Sequence, residues 1–189
     1  DGWKLTTSSN QIIQAKCIVI AAGAGSFVPR KPPIENIDQY ENKSVLYAIR
    51  NKSLLTGKKI IIAGGGDSAL DWTNDLAATS EVTLIHRRKE FRAAPDSVAK
   101  MLELEKQGKI KFEIGQIHSL TDENGILSGV NIKNDSEIKL LKTDFLLPFF
   151  GLKMELGPVA NWGLNLYENL IEVDTEKFET SVPSIFAIG

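Results

Sequence analysis

Two groups of residues in this 189-residue sequence are of types and spacings that could do chemistry. The first is Gly64-Gly65-Gly66-Asp67-Ser68-Ala69, in which Gly64, Gly66 and Ala69 fit the spacing G-x-G-x-x-G/A. The first glycine of that pattern makes a tight turn, and the second lets a pyrophosphate approach the backbone. The small third residue lets a helix pack closely on its strand. The second group, His86-Arg87-Arg88-Lys89-Glu90-Phe91-Arg92, follows about 20 residues later, where dinucleotide folds place the residue that reads the ribose. A site selective for NAD needs a carboxylate there, to accept from the ribose 2′-hydroxyl. A carboxylate would repel a 2′-phosphate, whereas a guanidinium binds it through two charge-assisted hydrogen bonds. Charge runs are commonly solvated loops, but this one stands at the end of the second strand of the unit. Its position points to an NADP(H) site.

The elements that must hold these residues are legible around them. Lys58 to Ala63 reads as a strand, and its Ile60–Ala63 run is apolar without alternation, as a parallel strand covered on both faces requires. A helix from Asp67 to Ala78, with Leu70, Trp72, Leu76 and Ala77 as its apolar stripe, aims free N–H groups and a positive dipole end at the turn. Val82–Ile85 is the second strand. Pro95 to Gln107 is a second helix with Val98, Met101, Leu102 and Leu104 apolar, stopped by Gly108. Lys111–Ile114 is a third strand. Gln116–Leu120, Leu127–Lys133 and Ile138–Leu141 read as an antiparallel insert, and Asp144–Phe150 as a buried strand ended by Gly151. Asp67 and Asp71 stand at i, i+4 beside a phosphate-binding turn, which favours capping and polar-face roles over acid–base work. No catalytic side chain and no metal site is expected, and His118, without a partner His or Cys nearby, is read as structural.

The flanks are different. Trp3–Thr7 and Gln11–Ala15 form a hairpin through Ser8-Ser9-Asn10. Cys17 opens a buried strand that runs into Gly23-Ala24-Gly25, so a packed thiol is expected. Pro29, Pro32 and Pro33 stiffen an extended connector, Phe27 to about Asn42, read as an interdomain linker, and Tyr47–Leu55 reads as a short helix. Leu170–Asp174 and Ile185–Ile188 are strands, the latter stopping at Gly189. Three strands thus run into glycine, at Gly23, Gly151 and Gly189, and two of them suggest a second dinucleotide domain interrupted by the first. No second G-x-G-x-x-G is present, so the chain reads as a fragment. The expected division is residues 1–42, a trailing part of an FAD-type domain with its linker; 43–152, an NADP-binding domain; and 153–189, a return segment of the FAD-type domain. The fold class is α/β: a Rossmann-like, three-layer domain with a mostly parallel sheet and a small antiparallel insert, set inside part of a second domain.

Composition bounds the partners. Hydrophobic residues at 42% and charged ones at 24% suit a globular chain that buries a core, and a net charge of −2 argues against nucleic acid as the main partner. The longest apolar runs are strand-length, so no membrane span is expected. The polar opening Asp1-Gly2-Trp3-Lys4 carries no signal-peptide pattern, and a cytoplasmic location is expected.

The stretch Gly64-Gly65-Gly66-Asp67-Ser68-Ala69-Leu70-Asp71-Trp72 with His86-Arg87-Arg88-Lys89-Glu90-Phe91-Arg92 resembles the thioredoxin reductase-like ferredoxin/flavodoxin–NADP reductases. Ala22-Gly23-Ala24-Gly25-Ser26-Phe27-Val28-Pro29-Arg30, Leu147-Pro148-Phe149-Phe150-Gly151-Leu152 and the ending Pro183-Ser184-Ile185-Phe186-Ala187-Ile188-Gly189 resemble them too. The resemblance implies an FAD domain with an NADP domain inserted. It also implies hydride transfer between NADPH and FAD, electrons passed to ferredoxin or flavodoxin, and a homodimer when intact. By that resemblance Gly64, Gly65, Gly66, Asp67, Ser68 and Ala69 hold the pyrophosphate side, and Arg87, Arg88 and Arg92 hold the 2′-phosphate. His86 borders the adenosine, Gly151 sits where the last strand passes the cofactor, and Phe27 lies against the flavin. The family's FAD pyrophosphate loop and its final aspartate are not in this chain, so the fragment alone is expected to be inactive. Thioredoxin reductases share the motifs but carry a Cys-x-x-Cys; with Cys17 as the only cysteine, this chain cannot use that dithiol. A non-catalytic NADP-binding module, or the nucleotide domain of another FAD-dependent pyridine-nucleotide oxidoreductase, remain the alternatives.

Overall fold

The computed structural model describes residues 2–23, 25–135 and 137–189. Asp1, of the polar opening, and Ala24, of the Ala22–Arg30 stretch, lie outside the described residues. The chain divides into two units: Pro29–Gly151, and the residues up to Val28 together with Leu152–Gly189.

The flanking unit begins with a hairpin of β1 (Trp3–Thr6) and β2 (Ile12–Ala15), turned at Asn10 with φ +61. Then come β3 (Ile18–Ile20) and β4 (Ser26–Pro29). In the central unit the order is β5 (Lys59–Ala63), α1 (Asp67–Leu76), β6 (Glu81–His86), α2 (Pro95–Lys106) and β7 (Ile110–Ile114). These are followed by β8 (Gln116–Glu123), β9 (Ile126–Lys133), β10 (Ile138–Lys142) and β11 (Phe145–Pro148). Four strands make one parallel sheet in the order β11-β5-β6-β7, while β8, β9 and β10 form an antiparallel meander.

Alternate residues of the apolar strands serve two different cores, which is why the runs show no alternation of polarity. Ile60, Ile62, Leu84 and Leu147 pack under α1 and α2 with Leu70, Leu76 and Met101. Ile61, Ala63, Ile85 and Leu146 pack on the other face against Leu127, Val130 and Ile132 of the meander. Helices, parallel sheet and meander are therefore the three layers. On α2 the buried stripe passes through Met101 but leaves Leu102 47% exposed, because residue 102 lies off the 98-101-104 face.

The connector read as a linker belongs largely to the central unit. Ile37 and Tyr40 are buried with Ile61 and Ile85, and the Tyr40 hydroxyl donates to Asp122 Oδ2 at 2.8 Å. Burial of these two side chains ties residues 29–42 to the central unit, so the division expected after residue 42 falls instead after Val28. The helix expected at Tyr47–Leu55 shrinks to a single 3-10 turn, Lys52–Leu55, because Asn51 caps it by accepting from the Ser53 N–H at 3.1 Å.

The flanking unit resumes with β12 (Leu152–Glu155), which pairs with β4, and a hairpin of β13 (Leu166–Tyr167) and β14 (Leu170–Ile171). β15 (Ile185–Ala187) pairs in parallel with β3, Ile185 opposite Ile18. Its core is small: Ile20, Leu164, Ile185 and Ala187. Two expectations change here. Cys17 is exposed rather than packed, because β3 starts one residue later and the thiol lies outside the pairing. β3 itself buries one face only, with Ile20 at 8% exposure and Val19 at 58%. No helix among the described residues is long and apolar enough to cross a membrane.

Candidate functional site

The C-terminal ends of the four parallel strands come together through their turns. The Gly64 N–H donates to Ile85 O at 3.0 Å, Phe149 N–H to Ala63 O at 2.8 Å, and Gly115 N–H to His86 O at 2.9 Å. Together they line a cavity of ≈ 550 Å³. This is the edge at which open α/β sheets bind their ligands.

The three glycines of the turn stand in three different surroundings. Gly64 has φ +155, and a Cβ there would lie 2.5 Å from Phe149 O and 3.0 Å from the Ala69 Cβ. It makes the turn, and Ala69 is small because α1 passes so near. Gly65 lies against the His86 ring, which a Cβ would strike. Gly66 caps α1 in extended backbone, φ −102 and ψ −179, and a Cβ there would meet nothing within 4 Å. Its carbonyl accepts from the N–H groups of Ala69 (3.0 Å) and Leu70 (3.2 Å). The N–H groups of Asp67 and Ser68 have no protein partner among the described residues, and such first-turn donors bind anions.

The arginine loop is folded onto this turn. The Arg92 N–H donates to Gly65 O at 2.8 Å, and His86 Nε2 is 3.1 Å from Glu90 O. The His86 ring stacks on Phe91 at 5.2 Å and 24°, and Phe91 meets Phe112 at 5.3 Å. Burial pushes the His86 pKa below its ordinary value; the Glu90 carbonyl opposes this, and Arg88, Arg87 and Arg92 add to it. The ring is therefore neutral at pH 7, Nε2–H is the donor to Glu90 O, and Nδ1 is left as an acceptor. Arg87, Arg88 and Arg92 are exposed and line the cavity, and no ion pair among the described residues involves them. Three guanidiniums beside free helix N–H groups make an anion site with two centres.

Of the residues singled out from sequence, Gly64, Gly65, Gly66, His86, Arg87, Arg88, Arg92 and Gly151 line the cavity. Asp67, Ser68 and Ala69 do not. The Asp67 carboxylate is turned to α2, where Oδ1 accepts the Ala94 N–H at 2.7 Å, and Asp71 Oδ1 accepts from Ser97 Oγ at 2.8 Å. Both aspartates tie α1 to the start of α2, and what Asp67 leaves at the turn is its backbone N–H. Phe27 belongs to the flanking unit, is 59% exposed and does not line the cavity. His118 lies exposed on β8. No group of His, Cys, Asp or Glu among the described residues could hold a metal ion. The cavity also takes Arg30, Pro32 and Pro33 from the stretch with a linker's composition, and Gln116, Ile117 and Phe149, none of which the glycine and arginine motifs mark. For Gln116 a signal existed: it stands just past the third parallel strand, on the edge where the other turns converge.

The fold is of the α/β dinucleotide-binding class, and the chain belongs to the pyridine nucleotide-disulphide oxidoreductase family, which it matches over residues 2–189. It is 56% identical over 189 residues to a ferredoxin–NADP reductase of Parvibaculum lavamentivorans, covering 99% of this chain and 55% of that protein. It is 54% identical over 190 residues to a ferredoxin–NADP reductase of Mesorhizobium japonicum, again with 99% and 55% covered. The chain thus spans about half the length of these curated relatives. Among solved structures it resembles Lactococcus lactis thioredoxin reductase (TM-score 0.76, 25% identity), covering 98% of this chain and 60% of that one. A bacillithiol disulfide reductase from Staphylococcus aureus shares the fold, with TM-score 0.80 at 18% identity over 98% of this chain and 57% of that one.

Proposed function

We propose that Pro29–Gly151 is the NADP(H)-binding domain of a ferredoxin–NADP reductase, and that the flanking unit is part of its FAD domain. The observation that carries this reading is the arginine loop: Arg87, Arg88 and Arg92, free of carboxylate partners among the described residues, stand in one cavity with the glycine turn. The residues fit the nucleotide. The open space at Gly66 and the free N–H groups of Asp67 and Ser68 suit a pyrophosphate, and the guanidiniums suit a 2′-phosphate. His86 borders the adenosine, with its Nδ1 able to accept. In the flanking unit, β3 and β15 run in parallel into Gly23 (φ +53) and Gly189 (φ +131), and a Cβ on Gly189 would come 3.5 Å from Gly23 Cα. Two glycines so close leave backbone exposed to a cofactor, and Phe27 is the side chain assigned to the flavin.

Bound FAD would supply the hydride and single-electron chemistry, and the part of this chain's residues would be to bind and orient the cofactors. The acceptor is ferredoxin or flavodoxin, the first being named by the relatives, and the intact protein is a cytoplasmic homodimer. No acid–base residue is assigned.

The test is nucleotide selectivity. A 2′-phosphate brings about −1.5 to −2 charges at neutral pH, by analogy with phosphorylated side chains. Hydrogen bonds to charged groups contribute about 1.5–3 kcal/mol each, so Arg87→Ala or Arg88→Ala should weaken NADP binding by about tenfold to a hundredfold. NAD binding should barely change, lysine should rescue only partly, and high salt should shrink the loss. Equal losses for both nucleotides in a calorimetric titration would mean that the loop is only a solvated charge run.

A further inference from the structure

Arg30 lines the same cavity as the glycine turn and the arginine loop, yet it comes from neither. Its backbone N–H donates to Gly151 O at 3.0 Å, which fixes it beside the end of β11. The sheet order is β11-β5-β6-β7. Arg30 and the arginine loop therefore flank the glycine turn from opposite sides, on strands two places and about 10 Å apart. NADP carries its two anionic groups at separate places, the 2′-phosphate on one ribose and the pyrophosphate between the two ribosyl groups. A pair of cationic centres with the glycine turn between them matches that separation.

The segment that carries Arg30 is held in place. Pro29, Pro32 and Pro33 restrict its backbone, and Ile34 and Ile37 pack with the core beneath the sheet. Lys31 fastens the segment further: its Nζ lies 2.9 Å from Asp38 and 2.8 Å from Glu41. Those contacts, Glu41 first, hold the Lys31 pKa above its ordinary value. Lys31 thus anchors the segment, and Arg30 beside it lines the cavity. A guanidinium on an anchored segment loses little freedom when it takes up a phosphate.

We propose that Arg30 is a further binding residue of this site: it holds the pyrophosphate from the β11 side while Arg87, Arg88 and Arg92 hold the 2′-phosphate from the β6 side. The inference rests on the NADP(H) reading above. It gives Arg30 a different signature from the arginine loop, because the pyrophosphate is common to NADP and NAD. Arg30 sets affinity and leaves selectivity to the loop.

The experiment titrates the chain calorimetrically with NADP⁺, 2′-phospho-ADP-ribose and 2′-AMP, the last having the 2′-phosphate but no pyrophosphate. Arg30→Ala should weaken NADP⁺ and 2′-phospho-ADP-ribose by about tenfold and leave 2′-AMP within about twofold. Arg30→Met, which keeps the aliphatic stem for packing, should give the same pattern, and Arg30→Lys should recover part of the loss. Arg87→Ala should weaken all three ligands. Unchanged NADP⁺ affinity in a folded Arg30→Met chain overturns the inference. So does an equal loss for 2′-AMP, or a loss for NADP⁺ that spares 2′-phospho-ADP-ribose. A wild-type chain that binds neither NADP⁺ nor 2′-AMP, or an Arg87→Ala chain that binds both normally, overturns the NADP(H) reading itself.

Discussion

The turn after β5 and the loop after β6 face one cavity but are built on opposite principles. The first offers backbone alone: glycines, free N–H groups and a helix N-terminus, with no side chain between Gly64 and Gly66. The second offers side chains, three arginines on a loop whose backbone is held by His86 and Arg92. A backbone site binds what every dinucleotide has; a side-chain site can discriminate. The two are also joined, since His86 packs on Gly65 and the Arg92 N–H donates to the Gly65 carbonyl. Adjacent glycines therefore differ, Gly66 facing open space and Gly65 leaving room for the neighbouring loop.

The largest effect should come from Gly66→Val. Its side chain would enter open space, so stability should fall by no more than about 1 kcal/mol, for the poorer helix cap. The pyrophosphate would lose its approach to the helix N–H groups. Two charge-assisted hydrogen bonds lost correspond to about a hundredfold or more in NADP affinity, and NAD should suffer alike. Unchanged binding by calorimetry in a folded variant would remove the turn from the site.

A smaller effect, of a different kind, is expected from Gly65→Ala. The new methyl strikes the His86 ring, so the cost is overpacking, about 1–3 kcal/mol of stability, with the arginine loop displaced and NADP selectivity reduced. In a His86→Ala background the same change should cost much less, a coupling of about 0.5–3 kcal/mol. Urea unfolding of the four proteins measures this. Additive costs would mean that the turn and the loop are independent, and the comparison would break.

The smallest effect is on pH dependence. The folded His86 pKa lies below the ordinary 6.5, so the unfolded chain binds this proton more tightly. Its contribution to stability is thus fully present above 6.5 and is lost as pH falls from 6.5 toward the folded value. His86→Gln should flatten that part of the curve of urea midpoint against pH. A wild-type curve that rises as pH falls through this window would contradict the neutral, buried ring.

The sequence alone determined what depends on short spacing. The G-x-G-x-x-A turn, the unbroken apolar run Ile60–Ala63 and the arginines at the end of the second strand are local patterns, and backbone geometry links them directly to a parallel strand, a turn and a helix start. Which parts of the chain meet at the cavity depends instead on long-range packing. Arg30 stands 34 residues before Gly64 in a segment with the composition of a linker, and nothing near it shows that Ile37 and Tyr40 are buried under the sheet. Asp67 fits a phosphate turn by its spacing, yet its carboxylate turns to Ala94, a partner that exists because α2 packs beside α1. Gly65 lines the cavity, and the adjacency of β5 and β6 also puts the His86 ring against it, a contact the motif does not show. Turn chemistry is written in neighbouring residues, but the contents of the space between two turns depend on strand order, which brings residues distant in sequence within a few ångströms.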